Sequence, residues 1–85
     1  MNHTVRIYID AAGKEPFTRW FYQLRDDMAR RRILARLRRR EHGNRGDCKS
    51  LQGGVHELRL MFGPGYRIYY GEAGGDLIVL LCGGD

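Results

Sequence analysis

Residues 54–70 read GVHELRLMFGPGYRIYY, two runs of alternating side chains separated by Gly63-Pro64-Gly65. A period of two marks strands, and a glycine-flanked proline between two such runs marks a hairpin turn. A three-residue loop sets Phe62 against Tyr66, Leu60 against Ile68 and Leu58 against Tyr70. These six share one apolar face, which needs a second layer to cover it. The other face collects Arg59, Met61, Arg67 and Tyr69. Two guanidiniums and a phenol on a rigid sheet suit a ligand with phosphates and stacking bases. They serve equally well as a solvated polar face.

The rest of the chain supplies the covering layer. Val5, Ile7 and Ile9 alternate with Arg6 and Tyr8, which predicts an N-terminal strand over 4–10. Pro16 opens a helix over about 16–25, whose Phe17, Trp20, Phe21 and Leu24 fall at helical spacing. Asp26-Asp27 caps a second helix over 27–41 that stops at Gly43, with Ala29, Ile33, Leu34 and Leu37 as its buried stripe. Arg31, Arg32, Arg38 and Arg39 lie on its far side, and Arg30, Arg36 and Arg40 flank the stripe. A short strand near 48–52 precedes the hairpin. A last strand over 77–82, apolar throughout, reads as buried on both faces. The expected fold is α+β: an N-terminal strand and an antiparallel two-helix hairpin packed on a mostly antiparallel four- to five-stranded sheet. Trp20, Phe21, Leu24, Ile33, Leu37, Leu58, Ile68 and Val79 are its expected core.

Eighty-five residues make one domain, 1–85, and a 42% hydrophobic content favours folding over disorder. The net charge of +5 comes from thirteen arginines and two lysines, and guanidinium grips phosphate in a fork where ammonium does not. Seven arginines within residues 28–40 repel one another, a repulsion that an anionic partner relieves. No apolar run is long enough to cross a membrane and the start lacks an export signal, so the cytoplasm is the expected location. Cys48 and Cys82 have neither metal-ligand nor CxxC spacing and read as reduced thiols.

No paired-carboxylate motif, nucleophile elbow, Walker loop or HExxH is present, and no metal or cofactor is expected. His56 falls on the apolar face beside Leu58, as a core histidine. What remains is arginine, tyrosine and lysine, a set that suffices for RNA because the 2′-OH is a built-in nucleophile. Arg59 and Arg67 are candidates to stabilise the phosphorane-like transition state, Tyr69 to stack on a base, and Lys49 to transfer a proton. A plain two-residue turn at Gly53-Gly54 would point Lys49 toward the core. Its role therefore requires a bulge or a place outside the ladder.

Several motifs together resemble one known group. They are Gly13-Lys14-Glu15-Pro16-Phe17 with Trp20, the arginine helix, Gly43-Asn44-Arg45-Gly46-Asp47 with Lys49, Val55-His56-Glu57-Leu58-Arg59, Gly63-Pro64-Gly65-Tyr66-Arg67 and the closing Leu80-Leu81-Cys82-Gly83-Gly84-Asp85. In order and spacing they are similar to the addiction-module killer proteins, toxins of the RelE/ParE superfamily from type II toxin–antitoxin pairs, close to the HigB-like branch. The resemblance implies a RelE-like fold, a cognate antitoxin with a helix-turn-helix DNA-binding domain, and ribosome-dependent mRNA cleavage. It matches Arg67 to the arginine that relatives use at the scissile phosphate and Arg59 to a basic position in cleaving relatives. Arg45 joins Arg31, Arg32, Arg38 and Arg39 as an expected RNA contact. Members of that group continue past Gly-Gly-Asp into a basic tail, which this chain is expected to lack. A gyrase-inhibiting ParE-like toxin and a non-catalytic binder of nucleic acid or antitoxin remain as alternatives.

Overall fold

The computed structural model describes residues 3–44 and 46–84. The chain runs β1 (Thr4–Ile7), α1 (Pro16–Gln23), α2 (Asp27–Glu41), β2 (Cys48–Ser50), a 3-10 turn (Gln52–Gly54), β3 (Val55–Leu60), β4 (Tyr66–Ala73) and β5 (Leu77–Gly84). The five strands form one sheet in the order β1-β5-β4-β3-β2. Hairpins make β2 to β5 antiparallel neighbours, whereas β1 runs parallel to β5. The sheet is therefore mixed rather than mostly antiparallel. The helical pair carries the chain from one edge of the sheet to the other, so β1 is joined to it only through β5.

Local chemistry sets the helix ends. Pro16 occupies the first turn of α1, where its missing N–H costs nothing. The helix stops at Gln23, two residues short of expectation, because Leu24 turns extended and its carbonyl accepts from the Arg30 guanidinium. The Asp26 carboxylate then caps α2 by accepting from the N–H groups of Met28 (2.9 Å) and Ala29 (3.3 Å). At the other end Gly43, at φ 94°, lets Asn44 N–H reach the Arg39 carbonyl and closes the helix in a Schellman-type cap.

The hairpin keeps its faces but not its register. Its loop spans residues 61–65, closed by Gly65 N–H on the Phe62 carbonyl, so Leu60 pairs with Tyr66, Leu58 with Ile68 and His56 with Tyr70. The slip is two residues, and an even slip leaves every side chain on its own face. Leu58, Leu60, Tyr66, Ile68, Tyr70, Ile78 and Leu80 from the sheet meet Phe17, Phe21, Ala29 and Ile33 from the helices in the buried core. Trp20, Leu24 and Leu37 pack at its margin, half-buried.

Two core expectations are corrected. Val79 lies opposite Arg6 and Gly71 on the face away from the helices and is half-buried; β5 is interior in the sheet but covered on one side only. Leu34 is 47% exposed, while Arg36 and Arg40 turn inward. The inward row of α2 is thus Ala29, Ile33, Arg36 and Arg40, at steps of four and three. Its last member finds polar partners: Arg40, 1% exposed, donates to the Tyr70 hydroxyl (3.3 Å) and to Glu72 Oε1 (2.5 Å) and lies 5.4 Å from the Tyr70 ring centre. His56 stacks on the same ring at 5.2 Å and sits 3.8 Å from Glu72, and the Tyr70 hydroxyl donates to Cys48 Sγ. Burial disfavours the Arg40 charge, but the bonds with Tyr70 and Glu72 outweigh it and raise its pKa. Desolvation, and then the bond to Cys48, raises that of Tyr70.

Candidate functional site

With both helices on one side, the other face of β2, β3 and β4 stays uncovered, and alternation decides what it displays. One cross-strand row reads Lys49, Glu57, Tyr69 and Cys82; the next reads Arg59, Arg67 and Gly84. Lys49 belongs to this face because the β2–β3 connection is longer than a two-residue turn. Residues 51–55, closed by Leu51 N–H on the Val55 carbonyl, set Ser50 opposite His56 and Lys49 opposite Glu57. Direct cross-strand neighbours have Cβ atoms about 5 Å apart. Arg59 and Arg67 are such a pair, and Lys49 and Tyr69 flank Glu57 from either side.

Two carboxylates hold Arg59. Its Nη2 lies 3.1 Å from Asp47 Oδ1, and its Nε lies 3.7 Å from Glu57 Oε1. A main-chain bond from Arg59 N–H to the Asp47 carbonyl, 2.9 Å, fixes the loop against the strand. Arg67 is exposed and points to solvent, Tyr69 is half-buried and Lys49 is exposed. Arg59 and Arg67 both line a depression of about 280 Å³ at the hairpin tip, together with Met61, Pro64 and Gly65. Glu57 and Asp47 were not among the candidates read from sequence. Glu57 was legible, since it alternates in phase with Arg59; Asp47 reaches the site only through the loop.

The outer arginines of α2 do not form one surface. Arg32 and Arg39, with Arg36 of the same helical row, line a groove of about 460 Å³ whose other wall is Arg59, Met61 and Phe62. The Arg32 guanidinium lies over the Phe62 ring at 5.0 Å, which holds it toward the groove. Arg38 faces the opposite side of the helix, where it lines a smaller groove with Val5, Leu34, Leu37 and Glu41. Arg31, seven residues earlier, shares that side by helical spacing. Arg45 lies outside the described residues. Arg59 lines both the 460 Å³ groove and the hairpin-tip depression, and Met61, 84% exposed, stands between them. The result is a cationic path from the outer face of α2, over the end of β3, to Arg67. The chemistry of such a path fits an anionic strand, with an aromatic ring, a carboxylate and an ammonium group beside it.

An uncharacterized protein of Haemophilus influenzae is 45% identical to this chain over 69 residues, a stretch covering 81% of this chain and 70% of that protein. The chain belongs to the same family. No family model matches it, and no solved structure matches it. Among the described residues no helix is long and apolar enough to cross a membrane, and no cluster of three or more metal-ligating side chains occurs.

Proposed function

We propose that the chain is the toxin of a type II toxin–antitoxin pair, acting in the cytoplasm as a ribosome-dependent mRNA endonuclease. The observation that carries this reading is the gathering of Lys49, Glu57, Arg59, Arg67 and Tyr69 in two adjacent rows of the uncovered sheet face. Cleavage of RNA needs a base for the 2′-OH, charge to offset that growing on phosphorus, and an acid for the leaving oxygen. Glu57 takes the 2′-OH proton; the freed oxygen attacks phosphorus. Arg59 and Arg67 hold the pentavalent centre, with Arg59 exchanging Asp47 for phosphate. Lys49 gives its proton to the departing 5′-oxygen as the P–O bond breaks, leaving a 2′,3′-cyclic phosphate and a 5′-hydroxyl. Tyr69 stacks on a neighbouring base and holds the nucleotide in line.

The order strand, two helices and antiparallel meander supports the resemblance to RelE-like toxins, and the arginine-lined groove supports an RNA partner. A helix-turn-helix antitoxin completes the proposal. Mapping RNA 5′ ends after brief induction tests it. Wild type is expected to produce new in-frame ends on translated messages, and Arg67→Ala to remove them and the growth arrest together. A charge-assisted contact to the transition state is worth roughly 3 kcal/mol, about a hundredfold in rate. Arg67→Lys should recover only part of it, because ammonium lacks the forked contact. Arrest by folded Arg67→Ala at the wild-type level refutes cleavage and favours gyrase inhibition. Binding to RNA without new ends favours a non-catalytic binder.

A further inference from the structure

The β1 edge of the sheet has its own chemistry, separate from the arginine path. Thr4 donates its N–H to the Asp76 carbonyl (2.8 Å) and Tyr8 to that of Leu80 (2.9 Å), so alternate residues face β5. The pleat therefore turns the main-chain groups of Val5 and Ile7 outward, along the open edge. Native sheets guard such edges with charged side chains, proline or a bulge, and of these β1 carries only the charge of Arg6, on the side away from the helices. It also exposes Ile7 (40%), and Ile9 just beyond it is 59% exposed. Val5 and Ile7 lie opposite Ile78 and Leu80, hence on the helix side, beside the groove of about 190 Å³ lined by Val5, Leu34, Leu37, Arg38 and Glu41. Arg6 projects to the other side of the strand.

We infer that this edge docks an extended segment of a partner protein in which apolar and acidic side chains alternate. A strand added to β1 presents one set of alternate residues to the helix side, where Ile7, Leu34 and Leu37 offer apolar surface. It presents the other set beside Arg6. Arg38 at the groove and Arg31 on the same side of α2 extend the demand for negative charge, against the single carboxylate of Glu41. Charge selects this occupant over a second copy of the chain. Pairing β1 with itself brings Arg6 toward Arg6 and sets a net charge of +5 against another +5. The inference does not depend on RNA cleavage, since Lys49, Glu57, Arg59, Arg67 and Tyr69 take no part in it.

The test is fluorescence anisotropy of the full chain with a labelled peptide alternating glutamate with isoleucine and valine. Saturable binding is expected, weakened at least about tenfold by Ile7→Pro, which removes an outward N–H and no bond to β5. Arg6→Glu should weaken this peptide and favour one alternating lysine with isoleucine. Leu34→Glu, at an exposed helix position, gives the same loss without touching the strand, with near-UV circular dichroism establishing that each variant is folded. Undiminished binding by folded Ile7→Pro and Leu34→Glu overturns the inference. So does equal binding of a peptide of the same composition with its glutamates in one block, which indicates charge alone. A dimer in sedimentation equilibrium that Ile7→Pro dissolves overturns it in favour of a second copy.

Discussion

Replacing Arg40 by methionine removes the guanidinium from the interior while keeping most of the side chain's apolar length. Arg40 is 1% exposed and bridges α2 to β4 through Tyr70 and Glu72, so the loss separates two layers of the fold. Removing one partner of a buried pair costs about 3–5 kcal/mol, because the other charge stays behind without compensation. Glu72 keeps 22% of its side chain open to water and has His56 at 3.8 Å, which lowers the expectation to about 2–4 kcal/mol. For a domain of this size each kcal/mol shifts the melting temperature by about 4–8 °C, so Tm should fall by roughly 10–30 °C. Arg40 Nη1 is buried with no hydrogen-bond acceptor among the described residues, so the native pair is itself imperfect. The double variant Arg40→Met/Glu72→Met should therefore regain more than half of the loss, with a coupling energy of about 1–3 kcal/mol. Urea unfolding of wild type, both single variants and the double variant at fixed salt measures the cycle. A single Arg40→Met variant within about 0.5 kcal/mol of wild type refutes the reasoning, as does a double variant no more stable than the single one.

Gly83→Ala should destabilise by about 1–3 kcal/mol in the same assay, because a Cβ there would fall 2.2 Å from the Trp20 ring, and a shift of the indole tryptophan emission should accompany it. Tyr70 has its pKa raised above the ordinary 10.0 by burial, so the folded state keeps that proton longer than the unfolded chain. The stability this contributes is present below pH 10 and is lost as pH rises beyond it, and Tyr70→Phe should flatten the fall seen in denaturation midpoints across that window. Arg32→Gln/Arg39→Gln should flatten the salt dependence of RNA binding by about one phosphate contact each, whereas Arg31→Gln/Arg38→Gln should leave it nearly unchanged; filter binding across a salt series separates them.

Strand alternation was legible because it depends on geometry within the chain. The faces of β3 and β4 follow from period two, and a loop two residues longer than Gly63-Pro64-Gly65 alone would make cannot change them. The same rule placed His56 on the helix-side face and grouped Arg59 with Arg67 and Tyr69. The stacking of His56 on Tyr70, where a three-residue loop would set Leu58, comes from the two-residue slip. What was not legible depends on partners far away in sequence. A helical wheel sets Arg40 beside the apolar stripe of α2 without saying that it is buried, and only β4, some thirty residues later, supplies the hydroxyl and carboxylate that draw it in. Leu34 pays the reverse consequence: as the row through Arg36 and Arg40 turns inward, it is left on the surface. Apolar sequence in β5 marked an interior strand, but not whether a second layer covers Val79. The direction of β1 and the division of the outer arginines between two grooves likewise emerge only once the sheet is assembled.

That division bears on how the chain tolerates its own charge. Arg32, Arg36 and Arg39 line a single groove, and like charges one helical turn apart each cost α2 a few tenths of a kcal/mol. Inside the fold, Glu72 answers Arg40, and at the groove rim Asp47 answers Arg59. Arg32 is held over the Phe62 ring, a contact that orients the guanidinium and leaves its charge in place. A polyanion laid in the groove adds counter-charge beside Arg32 and Arg39 in the folded chain and not in the same arrangement in the unfolded one, so binding and stability are linked. RNA at a hundred times its dissociation constant should stabilise the fold by about 2.7 kcal/mol, and the gain should shrink with added salt as the affinity does. Arg40→Met should show nearly the same gain from a lower starting point, because its charge faces the core. Arg32→Gln/Arg39→Gln should start near wild type and gain less. Opposite responses of these two variants distinguish arginines that hold the fold from arginines that await a ligand, which the count of charges on the helix cannot do.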